Sequence, residues 1–380
     1  MNPNAKKYIV IALIVLVGGA LLIGPLLREE PVIDEGGGGI KYAPITQPPP
    51  AAQFAFSDTD NLAVVTGGTQ TVEVKLNKKN IASLELEFDG TIIQKWDNPS
   101  GKVSFPFSAS ALGTYSFKLI ATMKDGTQSI DDRLVQVVSD IEPATFQAKI
   151  IGNPLPHDPN SFTQGLEFKN GKLFEGVGLF GESKILEVNL QSGEIIRKLG
   201  LDPSHFGEGI TILGNKLYQL TWQKGKCLVY DYTSDPDIFI LLEDKSYEGE
   251  GWGLCNNGVE LILSNGTEEI QFIDPESFEV KRTINVYSDQ GAFSQINELE
   301  YIDGKIYANI YQQNLVIAID PATGKVLELV DCNDLSSRGG AAMGKELNGI
   351  AKNDETGKIY MTGKKWSALF HVEFVPVSLP

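Results

Sequence analysis

Two short phrases set an acid beside glycines just ahead of strand-like sequence. One is Phe206-Gly207-Glu208-Gly209, followed by Ile210-Thr211-Ile212-Leu213; its echo is Glu250-Gly251-Trp252-Gly253. Asp and Glu are almost never fully buried unless paired, so a glycine-flanked acid at a repeated strand start is a poor core residue. It suits proton transfer instead, and Glu208 is the acid expected to perform it. Further polar and aromatic residues hold comparable places: Phe162-Thr163-Gln164-Gly165, Gln219-Leu220-Thr221-Trp222, Asn297-Glu298-Leu299-Glu300, Asn309-Ile310-Tyr311-Gln312, Leu347-Asn348-Gly349-Ile350 and Thr362-Gly363-Lys364-Lys365-Trp366.

What must position these residues is a repeat. Each phrase flanks a copy of strand, tight turn, strand. The copies are Leu166 to Phe174, Ile210 to Tyr218, a weaker Leu254 to Leu261, Leu299 to Tyr307, and Ile350 to Tyr360. Most turn on Asn-Gly or Asp-Gly pairs, the strongest short hairpin signal. The copies start about 43 to 50 residues apart, the period of four-stranded propeller blades. Five copies predict a five-bladed β-propeller over 145–380, in which the starts of the inner strands meet at one rim of a central channel.

The ordered set Phe-Thr-Gln-Gly-Leu (162–166), Phe-Gly-Glu-Gly (206–209), Tyr-Gln-Leu-Thr-Trp (218–222), Glu-Gly-Trp-Gly (250–253), Asn-Glu-Leu-Glu-Tyr-Ile-Asp-Gly (297–304), Leu-Asn-Gly-Ile-Ala (347–351) and Thr-Gly-Lys-Lys-Trp (362–366) resembles the glutamine cyclotransferase family. The likeness spans about residues 150–375. That family is a five-bladed propeller. The resemblance implies conversion of N-terminal glutaminyl residues of peptides or proteins to pyroglutamyl, with release of ammonia. Carried over position by position, it implies that Glu208 shuttles the proton and that Lys364 and Asn297 stabilise the oxyanion. Phe162, Gln164, Phe206, Trp222, Trp252 and Tyr311 would hold the substrate. The family often has Trp where this chain has Tyr311, which changes the size of that wall. The scheme needs no cofactor and no catalytic metal, and it leaves room for a structural ion in the channel. A different reading is a non-catalytic propeller that binds peptides or glycans at the cell envelope.

Outside the repeats, Tyr8 to Leu27 form an apolar run of about 20 residues, long enough to cross a bilayer as a helix. Lys6 and Lys7 precede it, so residues 1–7 are expected in the cytoplasm and the bulk of the chain in the periplasm or outside the cell. The run is expected to be an uncleaved single-pass anchor; if cleaved, the chain would be secreted. Residues 28–53, with four consecutive glycines and Pro48-Pro49-Pro50, read as a linker. Residues 54–140 alternate in short strands with turn signals, the pattern of a small immunoglobulin-like β-sandwich. The expected class is therefore all-β throughout, behind an N-terminal membrane helix.

Composition narrows the rest. A formal charge of -17 excludes nucleic acid as a partner, because a phosphate backbone needs a basic surface. The three cysteines, Cys227, Cys255 and Cys332, cannot make a fully paired disulfide framework and read as small buried thiols. His157, His205 and His371 are too widely spread for a His-rich metal centre.

Overall fold

The computed structural model describes residues 54–56, 62–76 and 80–377. The segments read as cytoplasmic N-terminus, membrane run and linker lie outside the described residues. Among the described residues the chain is all-β apart from one helix, Asn333–Gly339, and no helix is long and apolar enough to cross a membrane.

Three four-stranded antiparallel sheets follow one another along the chain. The first runs Thr163–Lys169, Lys172–Val177, Lys184–Val188, Ile195–Gly200. The second runs Gly207–Leu213, Lys216–Thr221, Lys226–Asp231, Ile240–Ser246. The third runs Leu254–Asn256, Leu261–Ser264, Glu269–Ile273, Val280–Asn285. The turn residues explain the tight hairpins. Asn170 and Gly171 both adopt positive φ (51° and 68°), as do Asp303 and Gly304 (49° and 85°), and this conformation matches the twist of paired strands.

The last two repeats are joined in one longer sheet. Its order is Ile296–Ile302, Lys305–Ile310, Leu315–Ile319, Val326–Asp331, Ala144–Ile150, Ala368–Pro376, Ile359–Gly363, Leu347–Lys352. Ala144–Ile150 pairs in parallel with Val326–Asp331 and antiparallel with Ala368–Pro376, where Ala148 faces Phe374. The final repeat thus takes its outermost strand from the segment before the first repeat. Such a strand ties the two ends of the repeated region together through backbone hydrogen bonds.

The innermost strands neighbour one another in sequence order, and the last, Leu347–Lys352, lies beside the first, Thr163–Lys169. Glycine permits this close approach. A Cβ on Gly165 would lie 2.5 Å from the Ile210 nitrogen, and one on Gly209 would lie 2.5 Å from the Leu254 nitrogen. Gly253 is packed as tightly against the Asn297 carbonyl. Apolar side chains fill the space between neighbouring sheets: Leu166, Phe168, Leu173 and Leu186 meet Ala351, Tyr360 and Leu369 where the last sheet faces the first. Each fully buried Leu or Phe among them contributes about 1.5–3 kcal/mol.

The N-terminal described region forms two further sheets. One has the order Phe54–Phe56, Gln70–Leu76, Lys102–Phe107. The other runs Leu62–Val65, Gln128–Val138, Gly113–Met123, Ile81–Phe88, Thr91–Asp97. Val72, Val74 and Phe107 of the first share a core with Leu84, Leu86, Phe117 and Leu119 of the second. This unit meets the repeats through Leu112 and Val138, which pack on Tyr287, and through a 2.8 Å hydrogen bond between the Thr114 and Tyr287 hydroxyls. The three cysteines are buried and free, in keeping with the odd count.

Candidate active site

In four of the innermost strands the pairing register slips at the first residues: between Thr163 and Gly165, Gly207 and Ile210, Ile296 and Leu299, and Leu347 and Ile350. A bulge frees residues from the ladder and re-aims their side chains. The freed residues are Gln164, Glu208 with Gly209, Asn297 with Glu298, and Asn348 with Gly349. The repeated phrases singled out by spacing are therefore bulge sequences at one end of every such strand. The third innermost strand, Leu254–Asn256, is short, and Trp252 precedes it.

Glu208 is 5% exposed and Lys364 is 3% exposed. Burial drives the Glu208 carboxyl well above the ordinary carboxylate range; Lys364 opposes that shift and Glu250 adds to it. Burial lowers the Lys364 ammonium below its ordinary value, against the pull of Glu208 and Glu346. The two groups sense each other without meeting as an ion pair, and no described residue donates a hydrogen bond to the Glu208 carboxyl. An acid of this kind, with a raised proton affinity and a cation across from it, is suited to take up and return a proton.

Five aromatic rings, joined through Glu250 and Lys364, close a circuit beside Glu208. Lys364 Nζ lies 4.8 Å from the Phe162 ring and 4.8 Å from the Tyr311 ring. Phe162 meets Phe206 edge-on at 6.2 Å, and Phe206 meets Trp222 at 5.6 Å. The indole N–H groups of Trp222 and Trp252 both donate to Glu250 Oε2, at 2.8 and 3.0 Å. Trp252 then meets Tyr311 at 5.6 Å. All five rings are half-buried, so the wall is apolar yet open on one side. Glu250 carries no free role here; it fixes two indoles.

Gln164 and Asn297 complete the set. Gln164 is buried, and its Oε1 accepts from Asn348 Nδ2 at 3.1 Å. Asn297 is buried with its Oδ1 unpartnered, while its backbone carbonyl accepts from Ser264 Oγ at 2.7 Å. It makes no hydrogen bond to Glu208 or Lys364. Other buried polar atoms on the same strand ends also lack a protein partner: both side-chain atoms of Gln219, Asn309 Nδ2, Asn348 Oδ1 and Glu346 Oε2. An unpartnered buried polar atom costs about 1–3 kcal/mol, so a polar ligand that met several of them would bind through them.

A buried network holds two of these loops together. His157 Nδ1 faces the Trp366 carbonyl at 2.7 Å and its Nε2 faces Glu175 Oε1 at 3.1 Å; Thr163 Oγ1 donates to the same Glu175 oxygen at 2.7 Å. The segment bearing Gln164 is thereby tied to the one bearing Lys364. Burial alone would lower the His157 pKa, but the Glu175 charge, its hydrogen bond and the Trp366 carbonyl raise it.

Lys364, Phe162, Phe206, Trp222, Trp252 and Tyr311 thus come together in one circuit that Glu208 senses through Lys364 and Glu250, with Gln164 on an adjoining bulge and Asn297 beside the Trp252 segment. On sequence alone no role is assigned to Gln219, Asn309, Asn348, Glu346 or the His157–Glu175 pair. The first three lie inside the recurring phrases, and their positions in the repeat were the signal that could have found them. Glu298 and Glu300 accept backbone N–H groups from neighbouring strands, a structural role. Among the described residues no group of three or more His, Cys, Asp or Glu is arranged to hold a metal ion.

Comparison with known proteins bears on this geometry. The glutamine cyclotransferase family model matches residues 123–374, beginning inside the Gly113–Met123 strand of the N-terminal sheets. A glutaminyl-peptide cyclotransferase of Arabidopsis thaliana is 33% identical over 228 residues, covering 59% of this chain and 70% of that protein. The crystal structure of Myxococcus xanthus glutaminyl cyclase aligns with a TM-score of 0.58 at 35% identity, covering 62% of this chain and 100% of that one. This chain belongs to the glutamine cyclotransferase family.

Proposed function

We propose that this chain is a glutaminyl-peptide cyclotransferase, and that Glu208, Lys364 and Asn297 carry the chemistry. One observation supports it above the others: a buried carboxyl without a hydrogen-bond donor sits at a bulge and feels a buried lysine that lies between the Phe162 and Tyr311 rings.

The reaction is intramolecular. The α-amine nitrogen of the N-terminal glutaminyl residue bonds to its own side-chain carbonyl carbon, closing a five-membered ring. The nucleophile is already tethered, so restraint of the folded side chain by Phe162, Phe206, Trp222, Trp252 and Tyr311 supplies much of the rate. As the carbon–nitrogen bond forms, the amine proton passes to Glu208. The carbonyl oxygen gains negative charge, which Lys364 and the Asn297 amide stabilise. Glu208 returns the proton to the side-chain nitrogen, the carbon–nitrogen bond to it breaks, and ammonia leaves. Gln164 holds the amine or the first peptide carbonyl. Every atom of the products comes from the peptide, and the carboxyl ends as it began.

The same reading extends to architecture. The closed succession of innermost strands supports a five-bladed propeller over 145–380, with Ala144–Ile150 as the outer strand of its last blade. Two sheets over one core support an immunoglobulin-like sandwich for 54–140. The Tyr115 hydroxyl donates to the Ala111 and Leu112 carbonyls, both at 3.1 Å, a contact typical of the tyrosine corner of such domains. From the sequence alone, residues 8–27 would anchor the chain, with the propeller beyond the cytoplasm.

The test is mass spectrometry of a peptide beginning with Gln after incubation with the full chain. Cyclisation removes the mass of one ammonia and leaves a blocked N-terminus; the same peptide with an acetylated amine stays unchanged. Binding of the free-amine peptide without any mass loss would support the non-catalytic reading instead.

A further inference from the structure

Phe180 lies outside the circuit described above and is 54% exposed. A single exposed apolar ring is ordinary on a folded surface; what marks this one is the ring it touches. Phe180 meets Phe206 edge-on, with ring centroids 5.4 Å apart and planes at 78°. It therefore extends the Phe162–Phe206–Trp222 wall outward into solvent.

The loop that carries it is built, not slack. Leu179 has a φ of 87°, a left-handed conformation that is strained for a branched side chain. The surrounding hydrogen bonds hold it there. The Leu179 carbonyl accepts from Ser183 Oγ at 2.7 Å and from the Glu182 N–H at 3.0 Å. Ser183 Oγ in turn accepts from the Gly207 N–H at 2.9 Å, one residue before Glu208. The Gly181 N–H reaches the Pro203 carbonyl at 3.1 Å. On the other side Gly178 is pressed so close to Phe206 that a Cβ there would fall 2.5 Å from its ring. The strained turn is thus locked to the strand that bears the proposed proton carrier, and its product is one exposed aromatic ring at a fixed place on the lip.

Resting on the cyclisation proposed above, we infer that Phe180 is a specificity-determining residue that contacts the side chain of the residue immediately after the N-terminal glutamine and favours apolar and aromatic residues there. The glutaminyl side chain must fold inside the circuit, while the rest of the peptide must leave through its open side. One step along an extended chain covers about 3.3–3.6 Å, and successive side chains point in opposite directions. With the first side chain directed inward past Phe206, the second is carried outward to the lip. The ring waiting there presents a face and an edge to an apolar partner and offers nothing to a carboxylate.

The experiment measures kcat/KM by ammonia release for glutaminamide, which has no second residue, and for the dipeptide amides Gln-Gly, Gln-Phe, Gln-Leu and Gln-Asp. It compares the full chain with Phe180→Ala and Phe180→Trp. The ratio of Gln-Phe to Gln-Gly is the readout. It should exceed one in the original chain, fall about fivefold in Phe180→Ala, and be kept in Phe180→Trp, since an aromatic contact of this kind changes an equilibrium by about that much. An unchanged ratio in Phe180→Ala would overturn the inference, as would an equal fall for every substrate. Failure of the original chain to turn over glutaminamide would instead strike the cyclisation itself, which separates the two claims.

Discussion

Glu208 and Glu298 stand on innermost strands of the same ring. Both are buried, both occupy bulges, and burial holds both carboxyls well above the ordinary carboxylate range. They differ in what touches them. Glu298 accepts the Leu166 N–H at 3.2 Å and the Ile350 N–H at 2.9 Å, so its two oxygens staple the first and last innermost strands to the fourth. Glu208 receives no such donor and feels Lys364 and Glu250 only through space. A buried acid whose lone pairs are filled by backbone is part of the frame. One left unfilled, beside a cation and open to a ligand, is free to exchange a proton. Two buried carboxyls in similar settings thus differ in their hydrogen bonds and in the cation beside them, and the difference is what favours Glu208 as the proposed proton carrier.

The sharpest way to break this comparison is to change each acid to its amide. Glu208→Gln removes the proposed proton carrier and should lower kcat about 10²–10⁴-fold. Glu298→Gln keeps the shape but turns one acceptor into a donor facing a backbone N–H. It should cost about 1–3 kcal/mol of stability, read from denaturant unfolding, with a far smaller effect on kcat of the folded protein. Lys364→Met should come next, at about 10²-fold in kcat, with its apolar stem still filling the space between Phe162 and Tyr311.

Stability against pH sharpens the same contrast. A carboxyl whose folded pKa is raised binds more protons when folded, so its contribution favours the fold at low pH and is lost as pH rises from the unfolded value near 4.5 through the folded one. Glu208→Gln should therefore have a higher Tm than the original chain at neutral pH, and the gap should close as pH falls toward the unfolded carboxyl value. His157 also has a raised pKa, so its contribution is fully present below the unfolded value of 6.5 and is lost as pH rises through the folded one. The Tm cost of His157→Gln should accordingly be greatest at mildly acidic pH and shrink in alkali. Thermal scans across pH test both. The smallest effect is expected at Tyr311: Tyr311→Trp keeps a ring against Lys364 and Trp252 and should change kcat/KM by less than about threefold.

Much of this was legible in the sequence because the signals are local. Asn170-Gly171 and Asp303-Gly304 announce their turns by conformational need, and the recurrence of those turns located the strand starts that carry Glu208 and Asn297. The strand Ala144–Ile150 gave no such sign, since its partners Val326–Asp331 and Ala368–Pro376 lie at the far end of the chain and pairing over that distance leaves no local pattern. Bulges escaped for a related reason: a register slip at Gln164 or Glu208 is a relation between two strands. The His157–Glu175 pair was invisible because a lone histidine far from other ligands carries no spacing to read. Phe180 looks like an ordinary loop aromatic until its contact with Phe206 is seen.

The most direct measurement is a coupled ammonia assay of the full chain on a Gln-initiated peptide, run beside Glu208→Gln and Glu298→Gln, each variant first shown to be folded at the assay temperature. The account predicts steady ammonia release by the original chain, near-complete loss in Glu208→Gln, and substantial activity in Glu298→Gln. Full activity in Glu208→Gln, or equal loss in both variants, would contradict the proposal that Glu298 is a frame residue and Glu208 the proton carrier.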